Sequence, residues 1–198
     1  MAKSRREANK VRCRQDILKA SRRLFKEKGY EATMIEDVAD KAEISKATLY
    51  NYFPNKESLL AGTMIDEIEA FKRYTAENID DGTDADTKIR KALKFLIWDS
   101  VPFIDVSRRI LFLSAYSQSP LCGQIDEVVD GLKLMIEEGK KQGIYSEDIL
   151  TDDIMNIIMG VYMNAQFQWG DIEDITEEEC SKRIDRVLDL ALAGCYKR

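Results

Sequence analysis

The segment 33–53 constrains the fold of this chain more than any other stretch of its sequence. Ile35 and Val38 recur at helical spacing, and a second apolar pair, Leu49 and Phe53, follows at helical spacing after a short polar interval. These patterns predict two short helices with almost no connection between them. The outer face of the second helix is too polar and too small to be buried. This combination is typical of a helix-turn-helix, which indicates DNA binding.

Residues that commonly begin or end helices define the predicted boundaries. Thr33, with Glu36 three residues later, predicts a capping box at the start of the first short helix, and Ser45 is predicted to cap the second, which runs to about residue 52. We predict further helices ending near Gly29 and spanning about 56–77, 85–99, 102–118, 121–142, 150–169 and 177–196. The chain is therefore expected to be all-α, with about nine helices.

Charge is distributed unevenly along the chain. Residues 1–60 carry 14 Lys and Arg against 9 Asp and Glu, whereas residues 61–198 carry 16 against 27. Charged residues often only solvate helix faces, so this asymmetry is a weak observation by itself. It favours a basic N-terminal part that contacts a polyanion and an acidic remainder that does not.

The composition argues against several classes of protein. No histidine occurs among the 198 residues, which removes the commonest general base and metal ligand and excludes a histidine-dependent triad. The four cysteines lack C-x-x-C spacing and are expected to be reduced and mostly packed. We therefore expect no enzyme, no metal site and no cofactor.

Hydropathy argues against a membrane location. The apolar stretches are far shorter than a membrane span, and the basic N-terminus is not followed by the apolar region of a secretory signal. The expected location is the cytoplasm, with no membrane partner.

The predicted helix after Ser45 has the properties that a major-groove helix needs. Its two apolar anchors lie on one side, and Ala47 is small enough to let the helix approach the bases. Thr48 and Asn51 can read base edges, whereas serine, tyrosine and lysine side chains more often contact phosphates. A polar surface helix without a ligand is the alternative, but two tyrosines and an asparagine on so short a helix fit it poorly.

The run 44–53, followed by residues 55–60, resembles the TetR family of bacterial transcriptional regulators. The resemblance covers about residues 12–60. It implies a helix-turn-helix DNA-binding domain over residues 1–56, whose first residues form a disordered basic arm. It also implies a helical ligand-binding and dimerisation domain over residues 57–198. The partners would be double-stranded operator DNA of pseudo-palindromic sequence, a second copy of the chain and an unknown small-molecule effector.

The same resemblance implies which residues contact DNA. Thr33 would hold a phosphate at the start of its helix, and Tyr52 and Lys56 would hold phosphates further along. The full set is Thr33, Ser45, Lys46, Ala47, Thr48, Tyr50, Asn51, Tyr52 and Lys56. The chain departs from the family at Glu43, where glycine is common. Glu43 is expected to occupy a strained backbone position and, through its charge, to tune DNA affinity.

Aromatic residues in the acidic part suggest where an effector would bind. Aromatic side chains at helical spacing more often form core than pocket, but together these suit an apolar or amphipathic ligand. The candidates are Phe95, Trp98, Phe103, Phe112, Tyr116, Tyr162, Gln166 and Phe167. The predicted function is a repressor that such a ligand releases from its operator. The alternative is an activator, or a ligand-insensitive regulator, with the same DNA-binding domain.

Overall fold

The computed structural model describes residues 2–78, 82–100, 121–168 and 176–197. These ranges contain eight α-helices: α1 (Ala2–Lys28), α2 (Ile35–Lys41), α3 (Lys46–Tyr52), α4 (Lys56–Asn78), α5 (Ala85–Ser100), α6 (Cys122–Lys141), α7 (Thr151–Gln168) and α8 (Glu177–Leu192). The all-α prediction is confirmed. The helix predicted over 102–118 lies outside the described residues. In the described ranges, no helix is both long and apolar enough to cross a bilayer.

The chain divides into two compact units, Met1–Glu67 and Ile68–Arg198. In the first unit α1 packs against α2, and α2 against α3. The buried side chains of this unit include Ile17, Leu18, Leu24, Phe25, Val38, Leu49, Phe53, Leu59 and Leu60. A Cβ placed on Gly62 would lie 2.6 Å from a ring carbon of Phe53, so only glycine lets α4 approach that ring this closely.

The N-terminal residues differ from the expected disordered arm. Helix α1 begins at Ala2, because residues 2–28 contain neither glycine nor proline and are rich in arginine and lysine, which favour helix. The predicted end of this helix is confirmed. Gly29 has a positive φ of 78°, and its N–H donates to the Phe25 carbonyl at 2.9 Å.

The second unit contains α5, α6, α7 and α8 together with the end of α4, whose Phe71 belongs to its core. Helix α5 contacts the other three, and α7 packs against both α6 and α8. The core of this unit includes Ile89, Leu93, Ile97, Leu132, Ile136, Tyr145, Ile154, Ile158, Ile184 and Leu188. Lys88 is buried, and its ammonium donates to both carboxylate oxygens of Glu138 at 2.8 and 3.1 Å, which ties α5 to α6.

The last helix is shorter than predicted. It ends at Leu192 rather than near residue 196, and the chain then turns into an antiparallel bridge between Tyr145 and Tyr196. The Ser146 N–H donates to the Cys195 carbonyl at 2.8 Å. The apolar pattern correctly predicted that Cys195 is buried. Its side chain is buried after the turn, however, and not on the helix.

Candidate DNA-binding site

Helices α2 and α3 are joined by only four residues, and backbone hydrogen bonds fix this turn. The N–H of Glu43 donates to the Asp40 carbonyl at 3.1 Å, and the N–H of Ile44 donates to the Ala39 carbonyl at 3.0 Å. Glu43 itself has a φ of +55°, the left-handed conformation that favours glycine. The expected strain at Glu43 is confirmed, and the predicted helix-turn-helix is present.

The start of α2 differs from the predicted capping box of Thr33 and Glu36. Met34 is the N-cap residue, and its N–H donates to the Asp37 carboxylate at 3.5 Å. The side-chain cap is thus shifted by one residue, to Asp37. That carboxylate also pairs with Lys28 at 2.9 Å, and the lysine together with the Met34 N–H lowers the pKa of Asp37.

Thr33 is buried rather than available at the surface. Only 2% of it is exposed, and its hydroxyl lies 2.7 Å from the Gly29 carbonyl and 3.2 Å from the Leu24 carbonyl, both of which can accept its proton. Thr33 therefore fastens the connection before α2 to the end of α1. The phosphate role that the resemblance implied needs an accessible hydroxyl, which this position does not provide.

The start of α3 agrees with the prediction. The Ser45 hydroxyl accepts from the Thr48 N–H at 3.1 Å, and the two side-chain oxygens lie 2.7 Å apart. Leu49 and Phe53 are buried, as expected of the two apolar anchors. One side of α3 therefore packs against the core of the first unit, and the other side is exposed.

We call the outward side of α3 and its two ends the recognition surface. Five of its side chains are exposed, and Tyr50 is 41% exposed although it is a large aromatic residue. Three others are half-buried at its edges. The recognition surface comprises Ser45, Lys46, Ala47, Tyr50 and Asn51, which are exposed, with Thr48, Tyr52 and Lys56, which are half-buried. The structure thus brings together every predicted DNA-contacting residue except Thr33.

Tyr52 and Lys56 have partners elsewhere in the first unit. The Lys56 ammonium donates to the Glu31 carbonyl at 3.2 Å and stands 4.3 Å from the ring centre of Tyr30. Burial and a hydrogen bond with the Cys13 thiol raise the pKa of Tyr52. Both side chains are therefore held in place at the C-terminal edge of α3.

The sequence did not identify Glu36 as part of this site. Glu36, on α2, forms an ion pair with Lys46, and the Lys46 ammonium also lies 5.8 Å from the ring centre of Tyr50. Ten residues separate Glu36 from Lys46, so no helical spacing connects them. Only the angle between α2 and α3 brings them together.

Replacement of Glu43 by glycine tests the strain in the turn. We expect Glu43→Gly to raise the free energy of unfolding by about 1 kcal/mol, because glycine adopts a positive φ without the Cβ clash. Glu43→Ala removes the same charge but keeps the Cβ, and should change stability by less than about 0.5 kcal/mol. Denaturant unfolding monitored by circular dichroism measures both. An equal gain in the two variants would contradict the assignment of strain to the backbone.

Comparison with known proteins bears on what this surface does. Residues 17–63 match the bacterial regulatory proteins of the tetR family, a span that includes α2, the turn and α3. The chain belongs to the TetR family. It is a DNA-binding transcriptional regulator, and TetR regulators are non-enzymatic, in agreement with the expectation from composition.

Similarity to individual TetR proteins extends over nearly the whole chain. The transcriptional repressor KstR of Mycobacterium tuberculosis is 26% identical over 194 residues, which cover 94% of this chain and 81% of KstR. A putative TetR-family regulator from Syntrophomonas wolfei shares the fold with a TM-score of 0.69, at 24% identity over 92% of this chain and 96% of that one.

A further solved structure is the regulator FadR from Bacillus subtilis in complex with stearoyl-CoA. Its TM-score is 0.74, at 19% identity, with 91% of this chain and 98% of that one covered. This likeness concerns the fold, including the helical part that follows the helix-turn-helix.

Five of the eight candidate effector residues of this TetR protein lie on two neighbouring helices, α5 and α7. Phe95 and Trp98, on α5, and Tyr162, on α7, are half-buried against the core of the second unit. Gln166 is buried, and its amide donates to the Ser100 hydroxyl at 2.6 Å, which links α7 to α5. Phe167 is 52% exposed. The remaining candidates, Phe103, Phe112 and Tyr116, lie outside the described residues.

Proposed function

We propose that this regulator is a repressor, that it binds a pseudo-palindromic operator as a homodimer, and that an apolar or amphipathic ligand releases it. The observation that carries the proposal is the recognition surface. Leu49 and Phe53 fasten α3 to the core of its unit, while Lys46, Tyr50 and Asn51 remain exposed. A short helix of this kind can lie in a major groove.

The exposed side chains suit two kinds of DNA contact. Asn51 can form paired hydrogen bonds with an adenine edge, and Ala47 allows the close approach that such contacts need. Tyr52 and Lys56, held at the end of α3, are suited to the phosphates that flank the groove. The Lys56 ammonium has three donors, so its bond to the Glu31 carbonyl leaves it able to bind a phosphate as well.

We assign the domains by these roles. Residues 1–56 form the DNA-binding domain, and residues 57–198 form the effector-binding and dimerisation domain. The basic charge of the first sixty residues supports this division, because a DNA-binding surface gains affinity from lysine and arginine near the phosphates.

The proposed dimer surface lies on α7 and α8. Gly160, on α7, has open space beside it among the described residues, since a Cβ there would meet none of their atoms within 4 Å. Leu190, on α8, is 76% exposed, which is unusual for a leucine in a helix that otherwise buries its apolar side. Several other apolar residues of these two helices, such as Ile158 and Leu188, are buried within the protomer.

A homodimer would place two copies of α3 on the same duplex. A single short helix contacts too few bases to select one site in a genome. Two copies related by two-fold symmetry read half-sites about one helical turn apart, roughly 34–36 Å. The proposed operator is therefore an inverted repeat.

The proposed effector site lies among the half-buried residues of α5 and α7. Burial raises the pKa of Tyr162 to about 12, so its hydroxyl keeps its proton at neutral pH. The side chain can therefore offer a hydrogen bond to a ligand that is otherwise apolar. FadR in complex with stearoyl-CoA, which has the same fold, supports an amphipathic acyl ligand as the class to test first.

Titration of an operator complex with stearoyl-CoA tests the proposed release. The operator is first selected from random duplexes, and binding is followed by fluorescence anisotropy. We expect saturating stearoyl-CoA to weaken operator binding by at least about tenfold, and Tyr162→Phe to need about five to ten times more ligand, the effect of one lost hydrogen bond. Coenzyme A without the acyl chain is the control. Equal effects of the two compounds, or none, would count against an acyl effector.

A further inference from the structure

The ion pair between Glu36 and Lys46 links the two helices of the helix-turn-helix at the recognition surface. Both side chains are about half exposed, at 47% for Glu36 and 51% for Lys46. The Lys46 ammonium thus lies between a carboxylate on α2 and the ring of Tyr50 on α3. Its charge is locally cancelled, and its position is restricted before any DNA arrives.

Glu36 is the carboxylate committed to this lysine. The neighbouring Asp37 pairs with Lys28 on α1 and accepts from the Met34 N–H, so it is occupied in holding the start of α2. The hydrogen bond with Lys46 lowers the pKa of Glu36, and the hydrogen bond with Glu36 raises the pKa of Lys46. Both groups are therefore charged at neutral pH.

The pair affects what DNA encounters at α3. A lysine that neutralises a phosphate releases a counterion and adds to affinity for any sequence. Lys46 can do so only after separating from Glu36, whose negative charge then remains near the phosphates. Non-operator DNA offers only phosphate contacts to offset the cost of separating Lys46 from Glu36. A matched operator adds base contacts that offset it.

From these contacts we infer that Glu36 is a positioning residue that holds Lys46 and restrains the binding of non-operator DNA. This inference rests on the proposed DNA-binding role of the recognition surface. Glu36 itself does not touch the bases. It acts through Lys46, and it raises the ratio of operator affinity to random-sequence affinity.

The test uses a random-sequence 30-bp duplex labelled for anisotropy, so it does not depend on knowing the operator. We expect Glu36→Gln to bind this duplex about tenfold more tightly than the native chain at 50 mM NaCl. The slope of log affinity against log salt should steepen by about 1.8, the value for one further phosphate contact from each subunit of the dimer. Operator affinity should rise less, so that the specificity ratio falls.

Two controls isolate the contact. Glu27→Gln removes the same charge from an exposed ion pair, with Arg23 on α1, and should stay within about twofold of native. Glu36→Gln in a Lys46→Gln background should bind like Lys46→Gln alone, because Glu36 acts only through that lysine. Thermal unfolding of each variant checks that the fold is unchanged.

Three results would overturn the inference. They are an unchanged salt slope in Glu36→Gln, an equal gain in Glu27→Gln, or a gain that persists without Lys46. Failure of the native chain to bind either duplex is a separate result, because it would refute the proposed DNA-binding surface itself.

Discussion

Replacing Tyr50 and Asn51 together by alanine is expected to weaken operator binding by at least about a hundredfold without lowering the unfolding midpoint. Each lost base contact costs about 1–3 kcal/mol, and a two-fold dimer loses it at both half-sites. Both side chains are exposed, and alanine favours helix more than either residue, so α3 should remain folded. Anisotropy titration with the selected operator measures the loss.

A variant on the inward side of the same helix provides the matched comparison. Leu49→Ala removes a fully buried anchor and should lower the free energy of unfolding by about 2–5 kcal/mol. The two variants therefore distinguish a loss of DNA contacts from a loss of folding. The Tyr50 and Asn51 double variant should lose DNA binding and keep a native unfolding curve, whereas Leu49→Ala should lose stability. Native operator affinity in the Tyr50 and Asn51 double variant would refute the role of the recognition surface.

Replacing Leu190 by lysine is expected to convert the dimer into a monomer at micromolar concentration. Leu190 is 76% exposed on α8, and two-fold symmetry would bury two copies of it at the proposed interface. A loss of about 2 kcal/mol per copy would raise the dimer dissociation constant roughly a thousandfold. Sedimentation velocity measures the change, and operator affinity should fall with it because a monomer reads only one half-site.

Leu134 supplies the control for this experiment. It is 72% exposed on α6, outside the proposed dimer surface, so Leu134→Lys introduces the same charge in place of a similarly exposed leucine. We expect it to sediment as the native protein does. A native protein that is already monomeric, or equal dissociation in both variants, would contradict the assignment of the dimer to α7 and α8.

The parts of the site that sequence predicts well are those governed by local rules. Ser45 caps α3 because its hydroxyl meets the Thr48 N–H three residues later, and Leu49 and Phe53 are buried because they share one side of a helix. Glu43 has a positive φ, as expected for a position that glycine commonly fills in the family. Each of these depends on neighbours within one turn.

The parts that sequence does not predict depend on distant contacts. Thr33 matched a local capping pattern, but its hydroxyl is engaged by carbonyls at the end of α1, and Asp37 takes over the cap. The pairing of Glu36 with Lys46 needs the angle between two helices. For the same reason the predicted end of α8 is too late, since the residues after Leu192 bond to the backbone near Tyr145.

Selection of operator sequences from a random duplex library tests the central claim most directly. The claim is that two copies of α3, each presenting the recognition surface, read DNA as a symmetric pair. The native chain should enrich an inverted repeat whose half-sites are centred about 10 bp apart, and the Tyr50 and Asn51 double variant should enrich no sequence. Enrichment of an asymmetric single site, or of the same sequences by both proteins, would contradict it.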